Sequence, residues 1–271
     1  AVAYRPMARR TKIVCTLGPA VDSADKIRAL VRAGMNVARL NCSHGDWDTK
    51  RRWIEWVREA SPEIGPVAVL ADLQGPKFRV GDMPPEGVEL VTGSVVEVGP
   101  GKTGPISQDE ILRAMAPKAR LLLGDGEIEL TIESGSFPEF RARVEVGGTL
   151  KGRKGVTLKN KVFDVPAITA KDHEDLRHAI EAAVDFVALS YVQSGDDLIG
   201  LRQLVRSLGG DVGLCAKIET DAATKHLDGI LAHSDVVMVA RGDMGLQMDF
   251  DDVPLQQKKI IALANARGVP V

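Results

Sequence analysis

The sequence predicts an α/β protein: a TIM (β/α)8-type barrel, incomplete at its C-terminus, with an inserted all-β domain after its third strand. Three observations lead there. Short β-branched apolar runs alternate with amphipathic stretches at helical spacing over residues 1–76 and again over residues 161–271. Between them, residues 77–160 show strands and turns with little helical period. The GxGxxG turn of a doubly wound open sheet, the competing architecture, is missing after the first strand, where Gly18-Pro19 stands alone.

Each element follows from local pattern. Residues 12–17 (KIVCTL) read as a buried strand. Asp22 is then placed to cap a helix whose apolar Ile27, Leu30 and Val31 fall at i, i+3 and i+4, and which Gly34 ends. Residues 36–41 (NVARLN) form the second strand, and residues 48–59 a helix with Trp53, Ile54, Trp56 and Val57 on its face. Residues 66–72 (PVAVLAD) form the third strand, completing a βαβαβ start with parallel strands. After Gly75-Pro76 come a helical turn near residues 108–115 and strands at 121–123, 127–132, 141–146 and 149–150. These are punctuated by Gly124-Asp125-Gly126 and Gly147-Gly148. The α/β alternation resumes with a helix at 172–183, a strand at 186–190 and a helix carrying Leu198, Leu201, Leu204, Val205 and Leu208. A strand at 212–218, a helix at 222–231 and a strand at 236–240 follow. The last helix opens near Pro254 and runs to Ala266, and residues 269–271 begin a further strand. The tally is six β/α units and the start of a seventh, short of the eight that close a barrel.

Composition narrows the function. With 35 basic residues against 37 acidic, the net charge is −2, and no block of like charge exists to neutralise nucleic-acid phosphates. A content of 44% hydrophobic residues is too apolar for disorder. No window approaches a membrane span, and the start AVAYRPMARR has no secretory hydrophobic core. The expectation is a soluble cytoplasmic protein whose three scattered cysteines (Cys15, Cys42, Cys215) are reduced core thiols.

In this architecture chemistry belongs at the carboxyl ends of the strands. In Ala216-Lys217-Ile218-Glu219 the strand period of two places Lys217 and Glu219 on one side, as cavity-facing groups or as an ion pair plugging the barrel. The next strand delivers Arg241-Gly242-Asp243-Met244-Gly245, a predicted turn whose glycines let backbone N–H groups approach a carboxylate or phosphate. Glu219 and Asp243, at adjacent strand ends, suit a Mg2+ that serves a phosphate substrate and leaves other positions to water and substrate oxygens. Arg39, two before Asn41, shares its face and offers a fork of donors to phosphate. Ser43-His44 lacks the third group a triad needs, and His44 taken alone reads as a surface or structural histidine.

These segments, KIVCTLGPA, ARLNCSHG, DLQGPKFRVG, RKGVTL, AKIET and VMVARGDMG, occur in an order that resembles the pyruvate kinase family, over essentially all 271 residues. The resemblance implies Mg2+-dependent phosphoryl transfer, with Mn2+ able to replace Mg2+, from phosphoenolpyruvate to ADP, giving pyruvate and ATP. The inserted domain would then close as a lid. Carried over by position, Glu219 and Asp243 ligate the metal, and Lys217 stabilises the transferring phosphoryl and the enolate. Gly242 and Asp243 hold the substrate carboxylate, Arg39 holds phosphate, and Asn41, His44, Arg79 and Lys154 lie on the nucleotide side.

Many family members have an acidic residue where this chain has Lys77, with K+ held near Asn41, Ser43, Asp72 and Leu73. An ammonium at Lys77 would make K+ dispensable. Further departures are Thr220 after the KIE segment, Gln247, and Ser190-Tyr191-Val192-Gln193 in place of SFVR. The family pattern continues beyond Val271 with a binding threonine and a C-terminal domain. The expectation is that this chain alone turns over poorly and that a longer form is a homo-oligomer, a tetramer. Competing readings are another Mg2+-dependent phosphoenolpyruvate or pyruvate barrel enzyme, such as a lyase or aldolase, and a non-catalytic metabolite-binding fragment.

Overall fold

Apolar stripes on the first helices face inward: Ile27, Leu40, Val57, Val69 and Ala71 are fully buried, as the alternating patterns of their elements require. The structure, a computed structural model, describes residues 11–124, 126–159, 161 and 165–271, without the side chains of residues 63 and 64. The first ten residues, Asp125 in the predicted glycine turn and residue 160 at the predicted domain edge lie outside the described residues.

The chain opens with β1 (Val14–Thr16), α1 (Ala24–Ala33), β2 (Val37–Asn41), α2 (Trp47–Ile64) and β3 (Ala68–Asp72). Next come β4 (Phe78–Arg79), β5 (Val88–Leu90), β6 (Val95–Gly99), β7 (Gly104–Pro105), α3 (Asp109–Ala114), β8 (Arg120–Leu123), β9 (Ile128–Ser136), β10 (Glu139–Val146), β11 (Gly148–Leu150) and β12 (Gly155–Leu158). Then follow α4 (Ala170–Glu181), β13 (Phe186–Leu189), α5 (Gly195–Ser207) and β14 (Gly213–Ile218). The remaining elements are α6 (Asp221–Lys225), α7 (Leu227–His233), β15 (Val236–Val239), α8 (Arg241–Gln247) and α9 (Val253–Ala266).

Two compact units divide the chain. The first comprises Ala1–Gln74, Ala170–Leu189 and Gly200–Cys215; the second comprises Gly75–Thr169, Ser190–Ile199 and Ala216–Val271. In the first unit the strands lie in the order β1-β2-β3-β13-β14, and in the second β14 neighbours β15. The pairs β1/β2, β2/β3 and β3/β13 are parallel. The order follows the chain with no reversal, so there is no topological switch point. That is the winding of a (β/α)8-type barrel and excludes the doubly wound alternative.

The second unit holds a seven-stranded sheet, β4-β12-β8-β9-β10-β6-β7, and a two-stranded one, β11-β5. Period-two alternation sends Phe140, Ala142 and Val144 of β10 inward, where they join a buried cluster with Leu121, Leu130 and Ile132.

Several local expectations need correction. β1 is not buried: Val14 is 50% exposed, because among the described residues β1 pairs only with β2. The cap of α1 is Ser23, whose side chain accepts from the Lys26 amide. Asp22, the predicted cap, instead accepts from Trp53 Nε1 at 2.8 Å. The helix predicted over 222–231 is two short helices that break at His226, whose Nδ1 lies 3.0 Å from the Gln193 carbonyl oxygen. No strand forms over 269–271, although the Val237 amide donates to the Pro270 carbonyl at 2.9 Å.

Candidate active site

Two groups of side chains, one in each unit, contain the residues singled out from the sequence. In the first unit Arg39 stands on β2 opposite Leu70 of β3, and Asn41 opposite Asp72. Its burial pattern places Arg39 and Asn41 on one face of β2, as their spacing predicts. Arg39 Nε donates to Asp72 Oδ2 at 2.7 Å and Nη1 to Thr16 Oγ1 at 2.7 Å. The guanidinium is thus oriented by a carboxylate that is 2% exposed, and it keeps further N–H groups for a ligand. Asn41 Oδ1 accepts from the Ser43 amide, Leu73 is buried, and His44 is exposed.

The loop carrying Ser43 and His44 has an anchor that the sequence reading missed. Lys50, on α2, is only 2% exposed, and its ammonium donates to the carbonyls of His44 at 2.5 Å and Gly45 at 2.9 Å. Burial lowers its pKa, yet carbonyl dipoles compensate the charge. The spacing of Lys50 on a helix directly after a strand-end loop was the available signal.

In the second unit, Lys217 and Glu219 emerge from β14 on the same side and touch, with Nζ 2.7 Å from Oε1. Both are buried, at 7% and 1% exposure. Burial pushes the Glu219 carboxyl above its usual range, the Lys217 ammonium opposes this, and the charge of Asp243 adds to the rise. Oε2 accepts from the Tyr191 amide at 2.9 Å. Lys217 Nζ also donates to Ser190 Oγ at 2.8 Å.

Ser190 and Tyr191, which the sequence showed only as a departure from SFVR, are thus the residues that contact Lys217 and Glu219. Tyr191 is a non-glycine residue at φ +55°, a conformation that costs on the order of 1–3 kcal/mol and is held by its surroundings. Gly75, at φ +67°, makes room for this turn: a Cβ there would come within 3.0 Å of Ser190 Cβ and 3.2 Å of Tyr191 Cδ2. Thr220, another departure, caps α6 by accepting from the Ala223 amide and donates to the Val192 carbonyl.

Arg241 to Gly245 do not form a turn but the start of α8. The first helical bond runs from the Met244 amide to the Ala240 carbonyl, so the amides of Arg241, Gly242 and Asp243 precede the ladder. A Cβ on Gly242 would meet nothing within 4 Å, which leaves open space beside these amides. A cleft of about 740 Å³ in the second unit, counting space open to solvent, is lined by Pro76, Lys77, Thr157, Tyr191, Asp243 and Gln247 among others. Lys77 is exposed there. Arg79 donates to the Arg153 carbonyl at 3.0 Å, and Lys154 pairs with Glu127 at 3.2 Å.

No group of three or more His, Cys, Asp or Glu side chains suited to a metal exists among the described residues. The donor set on offer is Glu219 with Asp243. It suits Mg2+, a hard ion that takes one or two carboxylates and leaves its other positions to water and phosphate oxygens. Oε1 of Glu219, buried against the Lys217 ammonium, is the atom that such an ion would approach.

The family model for the pyruvate kinase barrel domain matches residues 8–271. The chain is 40% identical to a pyruvate kinase of Corynebacterium efficiens over 98% of its own length and 57% of the relative's. Against pyruvate kinase 2 of Synechocystis the figures are 39%, 98% and 47%, and against a pyruvate kinase of Mycobacterium tuberculosis 40%, 98% and 58%. The chain spans about half the length of these relatives. It belongs to the pyruvate kinase family.

Proposed function

We propose that this chain is the substrate- and metal-binding part of a pyruvate kinase, transferring the phosphoryl group of phosphoenolpyruvate to ADP. The single observation that carries the reading is Glu219: a fully buried carboxylate with one oxygen held by an amide and the other 2.7 Å from the Lys217 ammonium. Glu219 and Asp243 hold Mg2+, or Mn2+ in its place. When bound, the ion supplies positive charge to the carboxylate and phosphoryl oxygens of the substrate.

The chain's own groups do the rest. The amides at Gly242 and Asp243 orient the substrate carboxylate, and Arg39 grips phosphate. Lys217 neutralises charge that spreads over the moving phosphoryl and then over the enolate oxygen. The bridging P–O bond breaks, a terminal oxygen of ADP takes the phosphorus, and the enolate gains a proton to become pyruvate. Positioning and charge neutralisation account for most of the acceleration in such transfers. Asn41, His44, Arg79 and Lys154 serve the nucleotide side, with residues 77–160 as a lid domain inserted between the barrel segments 1–76 and 161–271. Lys77 takes the part that K+, near Asn41, Ser43, Asp72 and Leu73, plays in other members.

No disulfide joins the three cysteines among the described residues, which suits a cytoplasmic setting. Among the described residues no helix is long and apolar enough to cross a membrane. The longer protein is taken to be a homotetramer. Incubation with Mg2+, phosphoenolpyruvate and ADP tests the reading: Mg2+-dependent ATP formation supports it. Failure to bind either Mg2+ or oxalate, a planar mimic of the enolate, would overturn it.

A further inference from the structure

We propose that Asp175 is a positioning residue for the nucleotide side of the site: one carboxylate that, through Lys171 and Trp47, holds both ends of the loop carrying Ser43 and His44. The inference rests on the reading above that gives Asn41 and His44 to the nucleotide. It goes beyond that reading by assigning a role to α4, which contributes no residue to the set.

The loop, residues 42–46, joins β2 to α2 at the carboxyl end of the strand. Its peptide groups have definite partners. The Cys42 amide donates to the Asp72 carbonyl at 2.9 Å, and the Ser43 amide to Asn41 Oδ1 at 3.0 Å. The Cys42 carbonyl accepts from Lys171 Nζ at 2.8 Å, and the carbonyls of His44 and Gly45 accept from the buried Lys50. Two ammonium groups, one from α4 and one from α2, thus anchor carbonyls along the loop.

Asp175 decides where the first of these ammonium groups stands. Lys171 and Asp175 lie one turn apart on α4 and are paired through Oδ2; the carboxylate is buried and the lysine side chain nearly half exposed. A lysine that open to water swings on a flexible stem, and its ammonium stays on a backbone carbonyl only where a fixed partner keeps it there. The other oxygen, Oδ1, accepts from Trp47 Nε1 at 2.8 Å. Trp47 is the first residue of α2, directly after the loop, and its ring lies against His178 of α4 with centroids 5.5 Å apart. Oδ2 therefore secures the start of the loop and Oδ1 the residue that follows its end. A loop fastened at both ends by one buried group keeps a single path, so a ligand that meets Ser43 and His44 need not order it first.

The test is steady-state ATP formation by the full-length protein, with ADP and phosphoenolpyruvate varied in turn. Asp175→Asn keeps the shape and an acceptor for Trp47 but drops the charge that holds Lys171. It is expected to raise the KM for ADP about 5–10-fold, because fewer molecules have the loop in place, and to leave the KM for phosphoenolpyruvate within about twofold. Lys171→Met is expected to do the same. The double variant removes both charges together, so neither is left without its partner, and it serves if a single variant folds poorly. Its KM for ADP is expected within about twofold of either single variant, since both act through one contact. An unchanged KM for ADP in the double variant, equal rises in the two KM values, or single rises that multiply in the double variant would overturn this inference alone. No ATP from the unsubstituted full-length protein would overturn the phosphotransferase reading and this inference with it.

Discussion

Arg39 and Asp72 are joined across β2 and β3, with Nε donating to Oδ2 at 2.7 Å and Nη2 2.5 Å from the same oxygen. The carboxylate is buried and the guanidinium a quarter exposed, so the pair is partly screened. Asp72→Ala is expected to lower stability in urea by about 2–3 kcal/mol, somewhat less than a fully buried pair would lose. Arg39→Lys keeps the charge but not the fork, and is expected to raise the KM for phosphoenolpyruvate about tenfold. A KM within twofold of the parent would argue against a phosphate-gripping Arg39.

Glu219→Gln preserves shape and removes a charge that burial makes costly. Stability in urea without metal is expected to fall by about 3 kcal/mol, because the buried Lys217 ammonium loses its countercharge. Mg2+-dependent binding of oxalate should be lost, as read by calorimetry. Retained binding would show that the metal sits elsewhere.

Lys77 lies exposed on the cleft that Asp243 also lines. If its ammonium supplies the charge otherwise given by K+, turnover by the full-length protein should vary less than about twofold as KCl replaces a tetraalkylammonium salt at constant ionic strength. Lys77→Glu should then make it K+-dependent. A steep KCl response in the parent would contradict the assignment.

Tyr191→Ala and Tyr191→Gly remove the same ring, but only glycine accepts φ +55° without strain. The glycine variant should be the more stable of the two by about 1 kcal/mol, because relief of backbone strain outweighs its looser unfolded chain. Thermal or urea unfolding of the pair would check this, and a reversed order would mean the turn relaxes without its side chain.

Cys42 is buried, and burial, helped by Asp175, pushes its thiol up to about 12. With the pKa raised, the thiol stays neutral throughout the physiological range and becomes a nucleophile only above it. A thiol reagent at pH 8 should modify half-buried Cys15 first and reach Cys42 only on unfolding, as peptide mapping would show. Rapid labelling of Cys42 in the native protein would contradict its burial.

Much of this protein could be read from pattern alone. The alternation of apolar runs and helical stripes identified the β/α units, because burial of one face imposes a period that survives in the residues. The missing glycine turn pointed away from a doubly wound sheet, and the sequential strand order bears that out. Lys217 and Glu219 were placed on one side of a strand by a period of two, and they do meet. Of the two readings left open there, the ion pair is the one the structure shows.

Other features were decided only in three dimensions. Ser23 rather than Asp22 caps α1, because Trp53, 31 residues away from Asp22, claims that carboxylate. The exposure of β1 depends on what pairs with it, not on its own composition. Arg241 to Gly245 start a helix because the Ala240 carbonyl finds the Met244 amide, a choice that two glycines leave open locally. Ser190 and Lys50 were invisible as site residues, since their partners lie on other elements or on a loop whose path no period records. Sequence determines which side chains share a face, because that follows from backbone geometry within one element. Which hydroxyl, carbonyl or carboxylate each then meets depends on distances between elements, and only the packed chain sets those.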